Sequence, residues 1–324
     1  MLVNFTSRLL KDSLLFLFWH LDMKIGRLWE SVLFGNYLVG TLAVGLCIET
    51  AFQVSLPFAA WSDYLIIFFL PIAYYTYAYL KVGKEAPDEN PRSRYYVRNA
   101  KVLWQWEVGM MGIVLLATFI PLISGKFYLS NISWQWYLLS GTTFCMALFY
   151  YGLISRKYFG FDIRQSHWLK SFIIGWVWGY FSTALPVIFL NARGISIDLD
   201  IYLWLWFFIK NWMFCTVNSI MFDIKDYPTD LNARLRTFVV SFGIRRTIYR
   251  ILFPLLLAGM ISFSLFAREM NFSLARYLFN LLPFLATMAI AFSMLRPRSI
   301  FFYLVIIDGV LIFKALCGII GALL

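Results

Sequence analysis

Three aspartates in one short segment are the residues of this sequence best suited to chemistry. Asp223, Asp226 and Asp230 are spaced at i, i+3 and i+7, and on a continuous helix this spacing places the three carboxylates on one face. Clustered carboxylates repel one another unless a cation neutralises them. Mg²⁺ takes oxygen ligands and bridges carboxylates to phosphates. The spacing therefore predicts a catalytic Mg²⁺ site, although Pro228 can end or kink such a helix.

Basic residues lie beside these aspartates. Lys225, Arg234 and Arg236 belong to the same segment, and a guanidinium fork matches the oxygens of a diphosphate. We interpret the segment as a candidate diphosphate-binding site in which the three aspartates hold Mg²⁺. The alternative is a solvated loop of mixed charge, which the spacing alone does not exclude.

The composition indicates which elements must position this segment. The chain has 324 residues, of which 61% are hydrophobic and 14% charged, whereas soluble domains carry about 25% charged residues. The mean hydropathy is +0.72, and the apolar residues form long runs typical of membrane helices. The net charge of +11 is explained by basic loops on one side of a membrane that meet anionic lipid, so we expect no nucleic acid as partner.

Nine apolar runs are long enough to cross a bilayer, so the sequence predicts an all-α membrane bundle of about nine transmembrane helices. Residues 1–31 are predicted to be an interfacial segment, and residues 32–324 the transmembrane domain. The predicted spans are 32–52, 61–80, 103–124, 132–153, 171–191, 200–221, 249–267, 275–294 and 300–323.

The basic residues give this bundle an orientation. Most of the 28 lysines and arginines fall on one side of the predicted spans, which indicates that the N-terminus and the charged loops are cytoplasmic. We expect an integral protein of a bacterial plasma membrane. The two largest charged loops, 81–101 and 222–250, follow the second and sixth spans.

The aspartate segment resembles a motif of a known family. Asp223-Ile-Lys-Asp-Tyr-Pro-Thr-Asp-Leu-Asn-Ala-Arg-Leu-Arg-Thr237 is similar to the second aspartate-rich motif of the UbiA superfamily of intramembrane prenyltransferases, approximately D-I-R-D-I-x-T-D-x-x-A-G-K-R-T-L. It departs at Arg234, where the family has Gly, and at Leu235, where the family often has Lys. The family has nine transmembrane helices, with aspartate-rich loops after the second and sixth.

The first aspartate-rich motif of that family has no counterpart here. The end of the second span reads Tyr75-Thr-Tyr-Ala-Tyr-Leu-Lys-Val82, and the nearest acids that could replace the missing ligands are Asp88 and Glu89. Three basic residues nearby, Lys81, Lys84 and Arg92, could supply positive charge to a diphosphate in place of a metal ion.

The resemblance implies a Mg²⁺-dependent enzyme. It would transfer a prenyl group from a polyprenyl diphosphate to a small aromatic or lipid acceptor, as in quinone biosynthesis. The altered first motif motivates an alternative, a catalytically inactive membrane scaffold or lipid-binding protein. A transporter is a third hypothesis, although its usual markers, buried charges and broken helices in matching halves, are weak in the sequence.

Several charged residues fall inside the predicted spans, where an ionised group normally pairs or faces a cavity. We predict an ion pair between Lys210 and Asp308. Glu49 and Lys314 are expected to extend toward the interface instead. Asn218 precedes the aspartate segment and is either a diphosphate ligand or a polar contact between helices.

Overall fold

The computed structural model describes residues 29–82, 91–150, 169–232 and 237–324, and every regular element in these ranges is helical. The predictions for Lys84, Asp88, Glu89, Arg234 and Arg236, and for residues 1–28 of the interfacial segment, lie outside the described residues. The helices are α1 (Tyr37–Gln53), α2 (Trp61–Val82), α3 (Pro91–Arg98), α4 (Ala100–Ile123), α5 (Trp134–Tyr150), α6 (Leu169–Ala192), α7 (Ile201–Asn232), α8 (Phe238–Phe242), α9 (Ile244–Glu269), α10 (Leu274–Ser293) and α11 (Ile300–Leu323).

The chain is a helical membrane bundle. Each of the nine predicted runs contains one long helix, and among the described residues six helices are long and apolar enough to cross a membrane: α2, α4, α6, α9, α10 and α11. Helix α1 is apolar but has only 17 residues. The crossing of the membrane by α1, α5 and α7 remains a prediction.

Helix α7 carries the aspartate segment. It has 32 residues with Pro228 inside it, so the proline does not end the helix. At about 1.5 Å per residue this helix is longer than the roughly 30 Å hydrocarbon core. Its C-terminal turns, which contain Asp223, Asp226 and Asp230, therefore extend toward one end of the bundle.

That end, here called the charged end, is defined by the antiparallel course of the helices. Helices α2 and α7 finish there, whereas α1, α6 and α11 begin there. Helix α1 packs against both α2 and α11, and α6 packs along α7. Side chains from these five helices consequently lie close together at the charged end.

Two features of this region differ from the predictions. The loop predicted at 81–101 contains the helix α3, which begins at Pro91, a residue whose fixed φ suits a first helical turn. The run predicted at 32–52 is interrupted at Gly35 and Asn36, and Asn36 adopts φ 64°. Asn tolerates this left-handed conformation better than most residues, so the chain turns there before α1 begins.

Candidate functional site

A polar cavity of about 170 Å³ lies at the charged end, between helices α1, α2, α3, α6, α7 and α11. Its apolar wall includes Leu42, Trp178, Phe222 and Leu311. Its polar and aromatic-hydroxyl lining consists of Asn36, Tyr75, Tyr79, Arg92, Lys170, Asn218, Ser219, Asp223, Lys225, Asp226 and Asp308. The structure thus brings Asp223, Asp226, Lys225 and Arg92, all predicted site residues, into one cavity.

Asp223 is held by residues at the start of α6. Its side chain is almost fully buried, and Lys170 Nζ lies 2.7 Å from its Oδ1. Ser171 Oγ donates to Oδ2 over 3.3 Å. Because a buried carboxylate is costly unless it is paired and hydrogen-bonded, these contacts explain how Asp223 is accommodated.

Asp226 lies one turn further along α7 and is more open to solvent. Its carboxylate contacts Lys225 Nζ at 2.8 Å, and the side chain of Asp226 is 40% exposed. Lys225 itself is mostly buried in the cavity wall. Asp226 is therefore more accessible from solvent than Asp223.

Asp230 is buried away from the cavity lining. Among the described residues its Oδ2 has no hydrogen-bond partner. Burial raises the pKa of Asp230 to about 6, and the nearby Lys170 acts in the opposite direction. The third aspartate of the segment is therefore separate from the cavity that contains the other two.

The expected Mg²⁺ site at the three aspartates remains a prediction. In the part of the chain that the structure describes, no three His, Cys, Asp or Glu side chains are grouped closely enough to hold a metal ion. Asp223 and Asp226 are each paired with a lysine. A metal ion bound by these two carboxylates would have to displace the paired lysines.

Arg92 reaches the cavity from α3. Its side chain is buried, its Nη1 donates to Tyr79 Oη over 3.1 Å, and its Nη2 donates to Asn36 Oδ1. The guanidinium also lies 3.9 Å from the centroid of the Tyr79 ring. Asn36 is fixed in turn by donating to Thr76 and to Tyr96 Oη. Tyr79, near the end of α2, thus holds the Arg92 guanidinium at the cavity.

One predicted site residue, Lys81, lies outside the cavity, and two residues that were not predicted, Lys170 and Asn36, lie within its lining. Lys81 is exposed at the end of α2 and does not line the cavity. Lys170 and Asn36 line it but belong to no motif. The Gly35-Asn36 pair inside an apolar run is a turn signal that would have marked Asn36, whereas nothing in the sequence marks Lys170.

The predicted pairing of the intramembrane charges is wrong. Asp308 lies at the inner end of the cavity, where Asn218 Nδ2 donates to it over 3.5 Å. Lys210 instead donates to Asn280 Oδ1 over 2.7 Å. Glu49 and Lys314 do not extend to the interface, since both are buried and paired at 2.6 Å. The polar side chains select these partners because the bundle interior offers no water.

Comparisons with known proteins add no assignment. No protein-family model, no curated protein and no solved structure matches this chain. The likeness to the UbiA superfamily accordingly rests on the aspartate segment and on the spans predicted from the sequence.

Proposed function

We propose that this protein is a UbiA-like membrane prenyltransferase, which transfers a prenyl group from a polyprenyl diphosphate to a small aromatic or lipid acceptor. One observation carries the proposal. Arg92, Lys170 and Lys225 come from three different helices, and their cationic side chains line the same cavity in an apolar bundle. A diphosphate joined to an apolar chain is a ligand that matches such a cavity.

In this proposal the basic residues of the cavity assist cleavage of the bond between the prenyl group and the diphosphate. When the allylic C–O bond breaks, its electron pair passes to the diphosphate, and cations fixed around that group stabilise the developing charge. Arg92 is held in place by Tyr79 and Asn36, so it needs little reorganisation. Lys170 and Lys225 exchange part of their contact with Asp223 and Asp226 for phosphate oxygens.

The aromatic wall serves the other half of the reaction. Trp178 and Phe222 line the cavity, and the faces of aromatic rings attract a cation. They would stabilise the allylic carbocation until the electron-rich acceptor forms the new C–C bond. The acceptor then loses a proton, for which the released diphosphate is the base that the reaction itself provides.

The proposal includes a membrane topology. All nine long helices cross a bacterial plasma membrane, and the charged end faces the cytoplasm, where soluble diphosphates are made. Mg²⁺ is part of the proposal as a companion of the diphosphate. The pairing of Asp223 and Asp226 with lysines means that a metal-bound site requires those pairs to open.

The test measures diphosphate release by purified protein in nanodiscs. Prenyl diphosphates of increasing chain length are supplied with a mixture of small phenolic acceptors, in Mg²⁺ and in EDTA. We expect prenylated product from wild type and a loss of about a hundredfold in Arg92→Met, in line with the removal of one fixed charge donor. The matched control is Arg98→Met, on the same helix but exposed and outside the cavity.

A catalytically inactive lipid-binding protein is the second candidate. It is favoured by the pairing of both cavity aspartates with lysines and by the missing first motif. If prenyl diphosphates bind tightly with no turnover in either Mg²⁺ or EDTA, this second function is correct and the transferase is not. If Arg92→Met turns over at the wild-type rate, the assigned cavity is wrong.

A further inference from the structure

A second polar region lies deeper in the bundle, beyond the cavity. Glu49, Lys210 and Lys314 are at most 5% exposed. Lys314 Nζ lies 2.6 Å from Glu49 Oε2, and Lys210 Nζ lies 3.9 Å from Glu49 Oε1. Ionisable groups at such depth are expensive and usually mark a pathway or a binding site.

This deep cluster continues toward the end of the bundle opposite the charged end. Lys210 donates to Asn280, and Gln53 Nε2 donates to the same Asn280 oxygen over 3.3 Å. Arg276 Nη2 then donates to Gln53 Oε1 over 3.0 Å. Arg276 lies in the first turn of α10, at that opposite end, so polar contacts run without interruption from Lys314 to the bundle surface.

The charges along this path are unbalanced. Three basic side chains, Lys210, Lys314 and Arg276, lie along this path with one carboxyl group, that of Glu49. The rings of Trp206, Phe207 and Phe263 lie 5.3–5.8 Å from Lys210 Nζ and supply part of the compensation through cation–π contact. Counted as formal charges, these groups are net positive, which is the sign that attracts an anion.

One apolar layer separates the deep cluster from the cavity. Leu42, Cys215 and Leu311 line the inner end of the cavity, and Lys314 follows Leu311 by three residues, or about 5 Å along the helix. Helix α11 contains a π-helical stretch at Tyr303–Ile307, just before Asp308. A second stretch, Tyr180–Ala184, lies in α6 against α1 and α7. Such local widening of helices is frequent at functional sites.

Basic side chains therefore occur along the bundle from the cavity to Arg276, together with the carboxyl groups of Asp308 and Glu49, and a thin apolar layer separates the cavity from the deep cluster. We propose that this column carries a phosphate-bearing anion across the membrane, from the cavity past Lys314 and Lys210 to Arg276. The ligand is a phosphate or diphosphate group, either free or as the headgroup of a lipid. This activity is independent of the proposed prenyl transfer, because it needs no bond to break.

Movement across the apolar layer requires the helices on its two sides to shift. The cavity and the deep cluster are both built on α1, α7 and α11, so a shift of these helices would alter both. The substitution Asn280→Asp tests whether positive charge attracts the anion, because it changes the charge of the side chain but hardly changes its volume. It places a carboxylate 2.7 Å from Lys210 Nζ and cancels the attraction for an anion.

The experiment uses the full chain in phosphatidylcholine vesicles. One arm follows the transbilayer movement of a fluorescent isoprenyl phosphate by dithionite quenching, and the other follows uptake of radiolabelled inorganic phosphate and diphosphate. We expect wild type to accelerate at least one probe over protein-free vesicles. Asn280→Asp and the double variant Lys210→Met/Lys314→Met should slow it by about tenfold or more.

The matched control is Asp63→Asn/Arg193→Met. That ion pair, with an N–O distance of 2.6 Å, joins α2 to the end of α6 outside the column. It should leave the movement unchanged. Movement of the lipid probe alone identifies a lipid headgroup, and uptake of the soluble probes identifies free phosphate. The proposal is overturned if wild type moves no probe faster than empty vesicles, or if Asn280→Asp, folded as judged by its elution profile, matches wild type.

Discussion

Lys170 Nζ lies 2.7 Å from Asp223 Oδ1 and thereby joins α6 to α7 across the wall of the cavity. The side chain of Asp223 is 3% exposed and that of Lys170 is 18% exposed. A buried pair of this kind is weak evidence for net stability, but removal of one partner strands the other charge. Lys170 compensates the buried Asp223 carboxylate in the folded bundle, and in the proposed function it also contacts a phosphate oxygen.

The first prediction concerns this pair. Lys170→Met should lower the free energy of unfolding by about 3 kcal/mol, because it leaves the Asp223 carboxylate buried without its ammonium partner. The double variant Lys170→Met/Asp223→Leu should lose less than the single variant. Unfolding in detergent, followed by circular dichroism, measures both. Equal losses in the single and double variants would show that the two residues do not interact.

The second prediction is a pH dependence due to Asp230. Its pKa is raised by burial to about 6, above the ordinary value of about 3.9. Between these values the folded state binds more protons than the unfolded state, so this carboxyl lowers stability as pH rises from about 4 to about 6. Asp230→Asn should remove that slope and raise the melting temperature at pH 7 but not at pH 4. Parallel melting curves of the two proteins across this range would contradict it.

The sequence predicted the elements of this protein better than their contacts. Long apolar runs defined the helices, because burying a backbone in lipid leaves few alternatives to a helix. The spacing of the aspartates correctly placed Asp223 and Asp226 together, since both lie on one helix. Arg92 also lines this cavity, although the helix α3 that presents it was not foreseen, and its role toward a diphosphate remains a prediction.

Contacts between distant segments were beyond this reasoning. Glu49 pairs with Lys314, 265 positions away, and the sequence gives no measure of which intramembrane charges share a level in the bundle. The separation of Asp230 from the cavity likewise depends on where the cavity ends along α7, because Asp230 lies seven residues, or about 10 Å, beyond Asp223. Periodicity places residues on a common face but does not say where that face points.

The third prediction concerns a glycine on α11. A Cβ at Gly318 would overlap the Glu49 side chain, with its Cγ at 2.6 Å, and this carboxylate is fixed by its pair with Lys314. Gly318→Ala should therefore cost about 2 kcal/mol, as overpacked sites commonly do. Gly309→Ala on the same helix is the control, because nothing lies within 4 Å of its Cβ. Thermal unfolding in detergent measures both; similar melting temperatures would mean that Glu49 can move away.

The fourth prediction tests which intramembrane charges interact: Glu49 with Lys314, as in the structure, or Lys210 with Asp308, as the sequence analysis predicted. Glu49 and Lys314 are in direct contact at 2.6 Å, whereas Lys210 and Asp308 contact different asparagines. A double-mutant cycle on Glu49→Gln and Lys314→Met should give a coupling of about 2 kcal/mol, because each single change strands a buried charge. The same cycle on Lys210→Met and Asp308→Asn should be additive within about 0.5 kcal/mol. Strong coupling in the second cycle and none in the first would require α7 to be rotated relative to α11. Such a rotation would also move Lys210 out of the column of cations that leads from the cavity to Arg276.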